Sequence, residues 1–131
     1  MKKLLIIVIL FVAAIVPMDN IRAGERTAAF APFSVTAVNN SSVYSVVELY
    51  EYITPFTPVM VMRETILPGV APVNFGPFNT GTYDVKIIVY ATGSHNIGFN
   101  QFTSTVTGSS SGTVTTFPGV SVTGNSYTYV N

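Results

Sequence analysis

The sequence contains one pattern that is associated with nucleophilic catalysis. Residues Gly108–Gly112 (Gly-Ser-Ser-Ser-Gly) match G-x-S-x-G, in which a sharp turn between a strand and a helix exposes the central serine beside an oxyanion hole. The run that follows, Thr113–Thr116, is rich in β-branched residues and predicts a strand instead of the required helix. The pattern therefore indicates a Ser/Gly loop between strands and not a nucleophile.

The remaining ionisable residues give little support to catalysis or metal binding. His95 is the single histidine, and because it falls in the polar stretch Gly93–Asn96, we expect it to be solvated and without a catalytic role. Glu48 and Glu51 stand three residues apart, which on a strand places them on opposite faces. With no cysteine and scattered carboxylates, the sequence predicts no catalytic residues, no metal site, no cofactor and no enzymatic activity.

Two further polar patterns have structural interpretations. Asp84 and Lys86 stand two apart on one predicted strand face, which favours a weak surface ion pair. The overlapping tripeptides that begin at Asn39 and Asn40 match the N-glycosylation acceptor pattern. Because such tripeptides are common in turns, we favour an Asx turn here over a modification site.

Three tyrosines form the candidate ligand or partner face. Tyr44, Tyr50 and Tyr52 share one face of a predicted strand, and exposed aromatic rings on a sheet can stack on sugar rings or anchor a protein partner. The alternative is that a second layer covers them, which would bury the strand on both sides. The opposite face is predicted to point to the core and carries Val43, Val47, Leu49 and Ile53.

Residues 1–23 have the layout of a secretory signal peptide. Lys2 and Lys3 precede a 13-residue apolar run, Leu4–Val16, and Ala23 is a small residue at the cleavage position. A helix of that length spans about 20 Å, less than the roughly 30 Å of a bilayer core, so we favour a cleaved signal over the alternative of an uncleaved anchor. We therefore expect a secreted, periplasmic or cell-surface protein with no stable membrane insertion after cleavage.

Composition excludes further classes of protein. Charged residues make up only 9% of the chain and aromatic residues 12%, which argues against disorder. After cleavage three basic and five acidic side chains remain, a net charge of −2. We expect no nucleic-acid partner, because such a surface has no basic patch to attract phosphate.

The pattern of short β-prone runs and turn residues predicts an all-β domain over residues 33–131. Tyr83–Ala91 alternates most clearly, with Tyr83, Val85 and Ile87 on the predicted core face. Pro72 indicates an edge strand or a bulge, and Gly124-Asn125 predicts a two-residue hairpin turn. The predicted strands are Phe33–Val38, Val43–Ile53 (for which a helix is the competing interpretation), Val59–Ile66, Val70–Phe75, Tyr83–Ala91, Ile97–Thr107, Thr113–Phe117, Val120–Thr123 and Ser126–Val130.

Strands at this spacing, with turns between them, are typical of a β-sandwich. The stretch Leu67–Ile87, from Leu-Pro-Gly to Gly-Thr-Tyr-Asp-Val-Lys-Ile, resembles small secreted immunoglobulin-like and transthyretin-like bacterial modules. The resemblance is to an architecture and names no single family. It implies an immunoglobulin-like/transthyretin-like antiparallel β-sandwich of about 7–9 short strands.

These observations favour an exported, non-enzymatic structural or interaction module of the cell envelope or exterior. Residues 24–32 contain the apolar segment Thr27–Ala31, which could pair with an open sheet edge of a neighbouring copy. The alternative for this arm is a frayed N-terminal tail. The alternative for the function is a carbohydrate-binding module that uses the tyrosine face, so the expected partners are a protein, a second copy of this chain, or a glycan.

Overall fold

The computed structural model describes residues 31–131, which form nine β-strands and, within that range, no helix. The predicted signal peptide and residues 24–30 of the predicted arm lie outside the described residues. Within residues 31–131 the structure contains no helix that is long and apolar enough to cross a membrane. The strands are β1 (Phe33–Asn39), β2 (Ser45–Thr54), β3 (Thr57–Ile66), β4 (Val73–Phe78), β5 (Gly81–Val89), β6 (Gly93–Phe99), β7 (Phe102–Gly108), β8 (Thr113–Val122) and β9 (Ser126–Val130).

The strands form two sheets, an arrangement consistent with the predicted β-sandwich. One sheet has five strands in the order β4-β1-β9-β6-β7, and the other has four in the order β3-β2-β5-β8. All neighbouring strands are antiparallel except β1 and β9, which run parallel. Only β2–β3 and β6–β7 are hairpins, and the other six connections pass from one sheet to the other.

The core lies between the sheets and is built from alternating side chains of both. Tyr83, Val85 and Ile87 of β5 are fully buried, which confirms the predicted core face. They meet Val35 of β1 and Phe99 of β6 in one cluster. Alternation along each strand directs every second side chain inward, and burial of a large apolar side chain stabilises the fold by roughly 1.5–3 kcal/mol.

Strand β2 confirms the predicted strand and excludes the competing helix, but its buried face ends sooner than expected. Val47 and Leu49 are fully buried, whereas Ile53 is 68% exposed, so its assignment to the core is wrong. The physical reason is that the β2–β3 hairpin extends beyond the core, and Phe56 at its turn is 91% exposed. A register shift opposite Leu49 and Tyr50 also changes the alternation there.

The predicted single strand Ile97–Thr107 is wrong, because the chain turns back within it. Phe99 pairs with Phe102 across a two-residue turn, and β6 and β7 are neighbours in the five-stranded sheet. Asn100 has φ 52°, a left-handed conformation that asparagine tolerates better than most residues. The turn Asn100-Gln101 contains no glycine or proline, which are the strongest turn signals.

The predicted hairpin at Gly124-Asn125 is also wrong. Strand β8 pairs with β5 in the four-stranded sheet, whereas β9 lies between β1 and β6 in the other sheet. The two predicted strands before this turn form one strand, β8, with a register shift at Pro118-Gly119. Gly119 has φ 63°, which allows the chain to bulge without ending the strand.

Charge is segregated between the two sheets. The five strands of the larger sheet contain no Asp, Glu, Lys or Arg. The six charged side chains between residues 31 and 131 belong to β2, β3 and β5 of the smaller sheet and are Glu48, Glu51, Arg63, Glu64, Asp84 and Lys86. The smaller sheet can therefore offer charged side chains to a ligand, whereas the strands of the larger sheet offer only uncharged ones.

Candidate functional site

The predicted tyrosine face lies on the outer side of the four-stranded sheet. Tyr50 and Tyr52 belong to β2 and are partly exposed, and Tyr44 precedes β2 and is 42% exposed. The first half of β2 is buried on both faces, since Val46 and Glu48 on the outer side are only 4% exposed. The outer face of β2 is therefore covered in its first half, at Val46 and Glu48, and partly exposed in its second half, at Tyr50 and Tyr52.

An ion pair between a buried carboxylate and an exposed arginine lies on this face. Glu48 is central to the sheet, and its Oε1 lies 2.7 Å from Nη1 of Arg63, its cross-strand partner on β3. The Tyr50 hydroxyl donates to the other carboxylate oxygen, Oε2, at 2.8 Å. Burial of a carboxylate requires such partners, and here one is charged and the other neutral.

The predicted ion pair between Asp84 and Lys86 is wrong, because each has another partner. Lys86 Nζ lies 4.2 Å from the centre of the Tyr50 ring, within the range of a cation–π contact. Asp84 accepts hydrogen bonds from the Tyr52 hydroxyl at 3.0 Å and from the Gly119 backbone N–H at 2.8 Å. The hydrogen bond to Asp84 raises the pKa of Tyr52, with smaller contributions from desolvation and from the charge of Asp84.

Tyr44 is separate from these contacts and stacks on a fourth ring. Its ring centre lies 4.7 Å from that of Tyr90, which follows β5, at an interplanar angle of 30°. Gly112 accommodates Tyr90, because a Cβ at that position would lie 2.8 Å from Cε1 of the ring. The sequence prediction placed Tyr90 on a separate polar face, because only the pairing of β2 with β5 brings it next to Tyr44.

The predicted loop Gly108–Gly112 connects two strands and has no features of a nucleophile elbow. The segment joins β7 to β8, and a strand follows it, as expected. Ser109 and Ser111 place their hydroxyl oxygens 3.0 Å apart, and Gly112 N–H donates to the Ser109 carbonyl. These contacts close a local turn within the linker.

His95 is buried instead of solvated, so that expectation is wrong. It lies in β6 with 9% exposure, and its ring nitrogens each lie 3.2 Å from a backbone carbonyl, Nδ1 from Asn131 and Nε2 from Thr92. Its contacts in the described part of the chain tie the C-terminus to the start of β6. Within residues 31–131 no group of three or more His, Cys, Asp or Glu side chains is arranged to hold a metal ion.

The Asx turn predicted at Asn39 is confirmed. Asn39 is fully buried, and its Oδ1 accepts from the backbone N–H and the hydroxyl of Ser41. Its Nδ2 donates at 2.9 Å to the carbonyls of Val43 and Ile66, which leaves no amide hydrogen for a glycan. Asn40 is exposed and donates to Asn131 Oδ1.

A second pair of tyrosines was missed by the sequence prediction and lies on the outer face of the five-stranded sheet. Tyr127, which is 44% exposed, and Tyr129 are two residues apart on β9, with ring centres 6.1 Å apart. A shallow groove beside Tyr129 is lined by Asn96, Thr103, Ser104, Thr105 and Asn131. The alternation in Ser126–Val130 already places both rings on one face of the strand.

The four edge strands of the described domain differ in composition. Strands β3, β4 and β8 contain Pro58, Pro77 and Pro118 respectively. Strand β7, the fourth edge, has neither a proline nor a charged residue, and it pairs with β6 without a register shift. Proline and charge are the usual means of preventing edge-to-edge pairing, so β7 is the edge best suited to accept another strand.

Comparisons with protein-family models, with curated proteins and with solved structures find no match to this chain.

Proposed function

We propose that this chain is an exported, non-enzymatic structural or interaction module of the cell envelope or exterior that self-associates by strand addition. The domain is proposed to be of the immunoglobulin-like or transthyretin-like class, because its two sheets are linked mostly by connections that cross between them. Residues 1–23 are proposed to be removed as a signal peptide, which leaves Gly24 as the first residue.

The observation that carries self-association is that the β7 edge has neither a proline nor a charged residue and pairs with β6 without a register shift. The proposed connector is the N-terminal arm, residues 24–32, which enters the sheet at β1. Two strands, β9 and β6, separate β1 from β7, a distance of about 14 Å at normal strand spacing. Nine residues in an extended conformation span roughly 30 Å, so reaching β7 of the same copy would use nearly half of the arm to cross the sheet. Pairing with β7 of a neighbouring copy requires no such crossing.

This arrangement leads to an open assembly. The proposed connector joins the domain at β1, next to the β4 edge, and the accepting edge, β7, ends the other side of the sheet, so the proposed contact joins two different surfaces. A heterologous contact of that kind generates a chain of subunits unless its rotation closes a ring. The main-chain hydrogen bonds of β7 supply the affinity in this mode of binding.

The test compares the exported protein with a variant that lacks residues 24–31. Mass spectrometry first establishes the N-terminus, which we expect at Gly24; an intact Met1 on a membrane-bound species would overturn the export proposal. Light scattering over a range of concentrations should then show growing assemblies of the exported form and a monomer of the shortened form. If both remain monomeric, or if both assemble equally, the arm is not the connector.

A matched pair of lysine substitutions tests the accepting edge. Thr107→Lys places a charge on the β7 edge and should abolish assembly, as edge lysines do in natural sheets. Thr82→Lys places the same charge at an exposed position on β5, which has neighbours on both sides, and should leave assembly unchanged. Assembly by the Thr107→Lys protein would refute the assignment of β7.

Carbohydrate binding by Tyr44, Tyr50 and Tyr52 stays the alternative prediction. The contacts of this face give it less support than self-association, because Lys86 lies over the Tyr50 ring and the Tyr52 hydroxyl donates to Asp84. A sugar ring would have to displace the lysine to stack on Tyr50. Retention of the protein on a glycan array, lost in Tyr50→Ala and Tyr52→Ala, is the outcome that would favour this alternative.

A further inference from the structure

We infer that the outer face of the five-stranded sheet is a second binding surface, centred on Tyr127 and Tyr129, that takes a neutral polysaccharide. The proposal is independent of strand addition, since it uses the face of the sheet and not its edge.

The first observation is the way in which Tyr129 lies on the sheet. Gly98 of β6 is its cross-strand partner, and a Cβ on Gly98 would lie 2.6 Å from Cε1 and 2.8 Å from Cζ of the ring. The ring therefore covers the glycine, and only a residue without a side chain allows this close approach. The Cε1 and Cζ atoms of the ring thus lie close to Gly98, and Tyr129 remains partly exposed on the outer face of the sheet, where a ligand can reach it.

The second observation is that Tyr127 extends this surface. Its ring is 44% exposed and is tilted by 31° from the ring of Tyr129, with the centres 6.1 Å apart. Two neighbouring rings of similar orientation form a platform longer than one sugar ring. The apolar face of a pyranose packs on such rings, while its hydroxyl groups remain at the periphery.

The third observation is the polar border of the platform. The groove beside Tyr129 offers the amide groups of Asn96 and Asn131 and the hydroxyl groups of Thr103 and Thr105. Thr105 Oγ1 donates to Asn96 Oδ1 at 2.8 Å, which orients that amide, and Asn40 Nδ2 similarly holds Asn131 Oδ1 at 2.7 Å. Oriented amides and hydroxyls are suited to sugar hydroxyl groups, which both donate and accept hydrogen bonds.

Charge selects the class of ligand. The five strands of this sheet contain no Asp, Glu, Lys or Arg, so an anionic glycan would find no ion pair here. A protein partner would find two rings surrounded by threonine, serine and asparagine, although the centre of a protein interface is usually more apolar than this. The combination of aromatic platform, amide border and neutrality fits a neutral polysaccharide best.

The experiment is affinity electrophoresis of the full exported protein in gels that contain neutral polysaccharides (dextran, starch, xylan or glucomannan) or anionic ones (alginate or hyaluronate). We expect retardation by at least one neutral polymer and none by the anionic polymers. Tyr127→Ala, which removes an exposed ring, should weaken binding by about tenfold. Gly98→Ala should weaken it as well, because the added Cβ would lie 2.6 Å from the Tyr129 ring and 2.9 Å from the Phe102 carbonyl oxygen, so the ring must move although no aromatic group is removed.

Two controls separate this site from the other proposals. Tyr44→Ala changes the opposite sheet and should bind as the wild type does, and Thr107→Lys should still bind although it no longer assembles. Thermal unfolding of each variant establishes that it is folded. The proposal is overturned if no neutral polymer retards the protein, if only anionic polymers do, or if Tyr127→Ala binds normally. It is also overturned if Tyr127→Ala dissociates an assembly and no glycan binds, since the face would then be a protein interface.

Discussion

Arg63 Nη1 lies 2.7 Å from Glu48 Oε1, and the two side chains differ sharply in exposure, at 57% and 6%. The arginine therefore holds a buried carboxylate from the solvent side of the sheet. Arg63→Met retains the apolar stem but leaves Glu48 with the Tyr50 hydroxyl as its remaining polar contact in the described structure. We expect the free energy of unfolding at neutral pH to fall by about 1–2 kcal/mol, less than for a fully buried pair because water reaches the arginine.

Urea unfolding of three variants tests this expectation. Glu64→Gln, which removes an exposed charge from the next residue of β3, should change stability by less than about 0.5 kcal/mol. Adding Glu48→Gln to Arg63→Met should recover part of the loss, because no unpaired charge remains. Equal effects of Arg63→Met and Glu64→Gln would contradict the interpretation.

Adjacent asparagines at the end of β1 should respond very differently to the same substitution. Asn39→Ala removes four hydrogen bonds, including the amide donations to the carbonyls of Val43 and Ile66, of which the bond to Ile66 is buried, so we expect a loss of about 2–4 kcal/mol. Asn40→Ala removes one exposed contact and should cost less than about 0.5 kcal/mol. Chemical unfolding of both variants measures the difference, and similar values for the two would show that Asn39 does not hold this corner together.

Two buried serines provide a second matched pair. Ser45 is fully buried, and its hydroxyl has no hydrogen-bond partner among residues 31–131, whereas the Ser41 hydroxyl contacts Asn39 Oδ1 and the Val43 carbonyl. Ser45→Ala should therefore increase the free energy of unfolding by about 0.5–1 kcal/mol, because burial of a hydroxyl without a partner is unfavourable. The midpoint of thermal unfolding should rise accordingly. Ser41→Ala should lower the midpoint. A destabilised Ser45→Ala protein would indicate that the hydroxyl has a partner in solution.

Local pattern was enough to predict much of the fold, because most strands here have one buried and one exposed face. The alternation of Tyr83, Val85 and Ile87 predicted the core face of β5, and all three are fully buried. The edge position of the predicted fourth strand is likewise confirmed, since β4 ends the five-stranded sheet. Residues that are close together in sequence were thus enough to predict the buried face of β5 and the edge position of β4.

The errors occurred where distant parts of the chain decide the structure. Gly124-Asn125 has the residues of a hairpin turn, but β9 pairs instead with β1, which is about ninety residues away in sequence. Asn125 contributes to that arrangement, because its Oδ1 accepts from the Ser34 backbone N–H at 3.0 Å. His95 was likewise misplaced, because the sequence alone does not show that it is buried and in contact with the backbone of Asn131, 36 residues later. No local pattern reports such contacts.

The candidate surfaces were predictable only in part for the same reason. The shared face of Tyr50 and Tyr52 follows from their spacing, but the positions of Lys86 and Asp84 beside them depend on the register of β2 against β5. Tyr127 and Tyr129 could have been paired from their spacing alone. What allows the Tyr129 ring to approach the sheet so closely is Gly98, which the register of β6 and β9 brings opposite to it.

Stability above pH 10 should depend on Tyr83. Its hydroxyl donates to the Asn79 carbonyl, and burial, together with the charge of Glu51 opposite it, raises the pKa of Tyr83 from 10 to about 12. Because the folded state holds the proton more tightly than the unfolded state, this contribution is complete below pH 10 and is lost as the pH rises from 10 to 12. The loss should be of order 2 kcal/mol.

Urea unfolding between pH 8 and 11.5 measures this loss of stability. Tyr83→Phe should cost about 1 kcal/mol at pH 8 through the lost hydrogen bond, yet lose less stability than the wild type above pH 10. Ile87→Val is the control, because it should cost about 1 kcal/mol at every pH. An alkaline slope in Tyr83→Phe as steep as that of the wild type would refute the assignment.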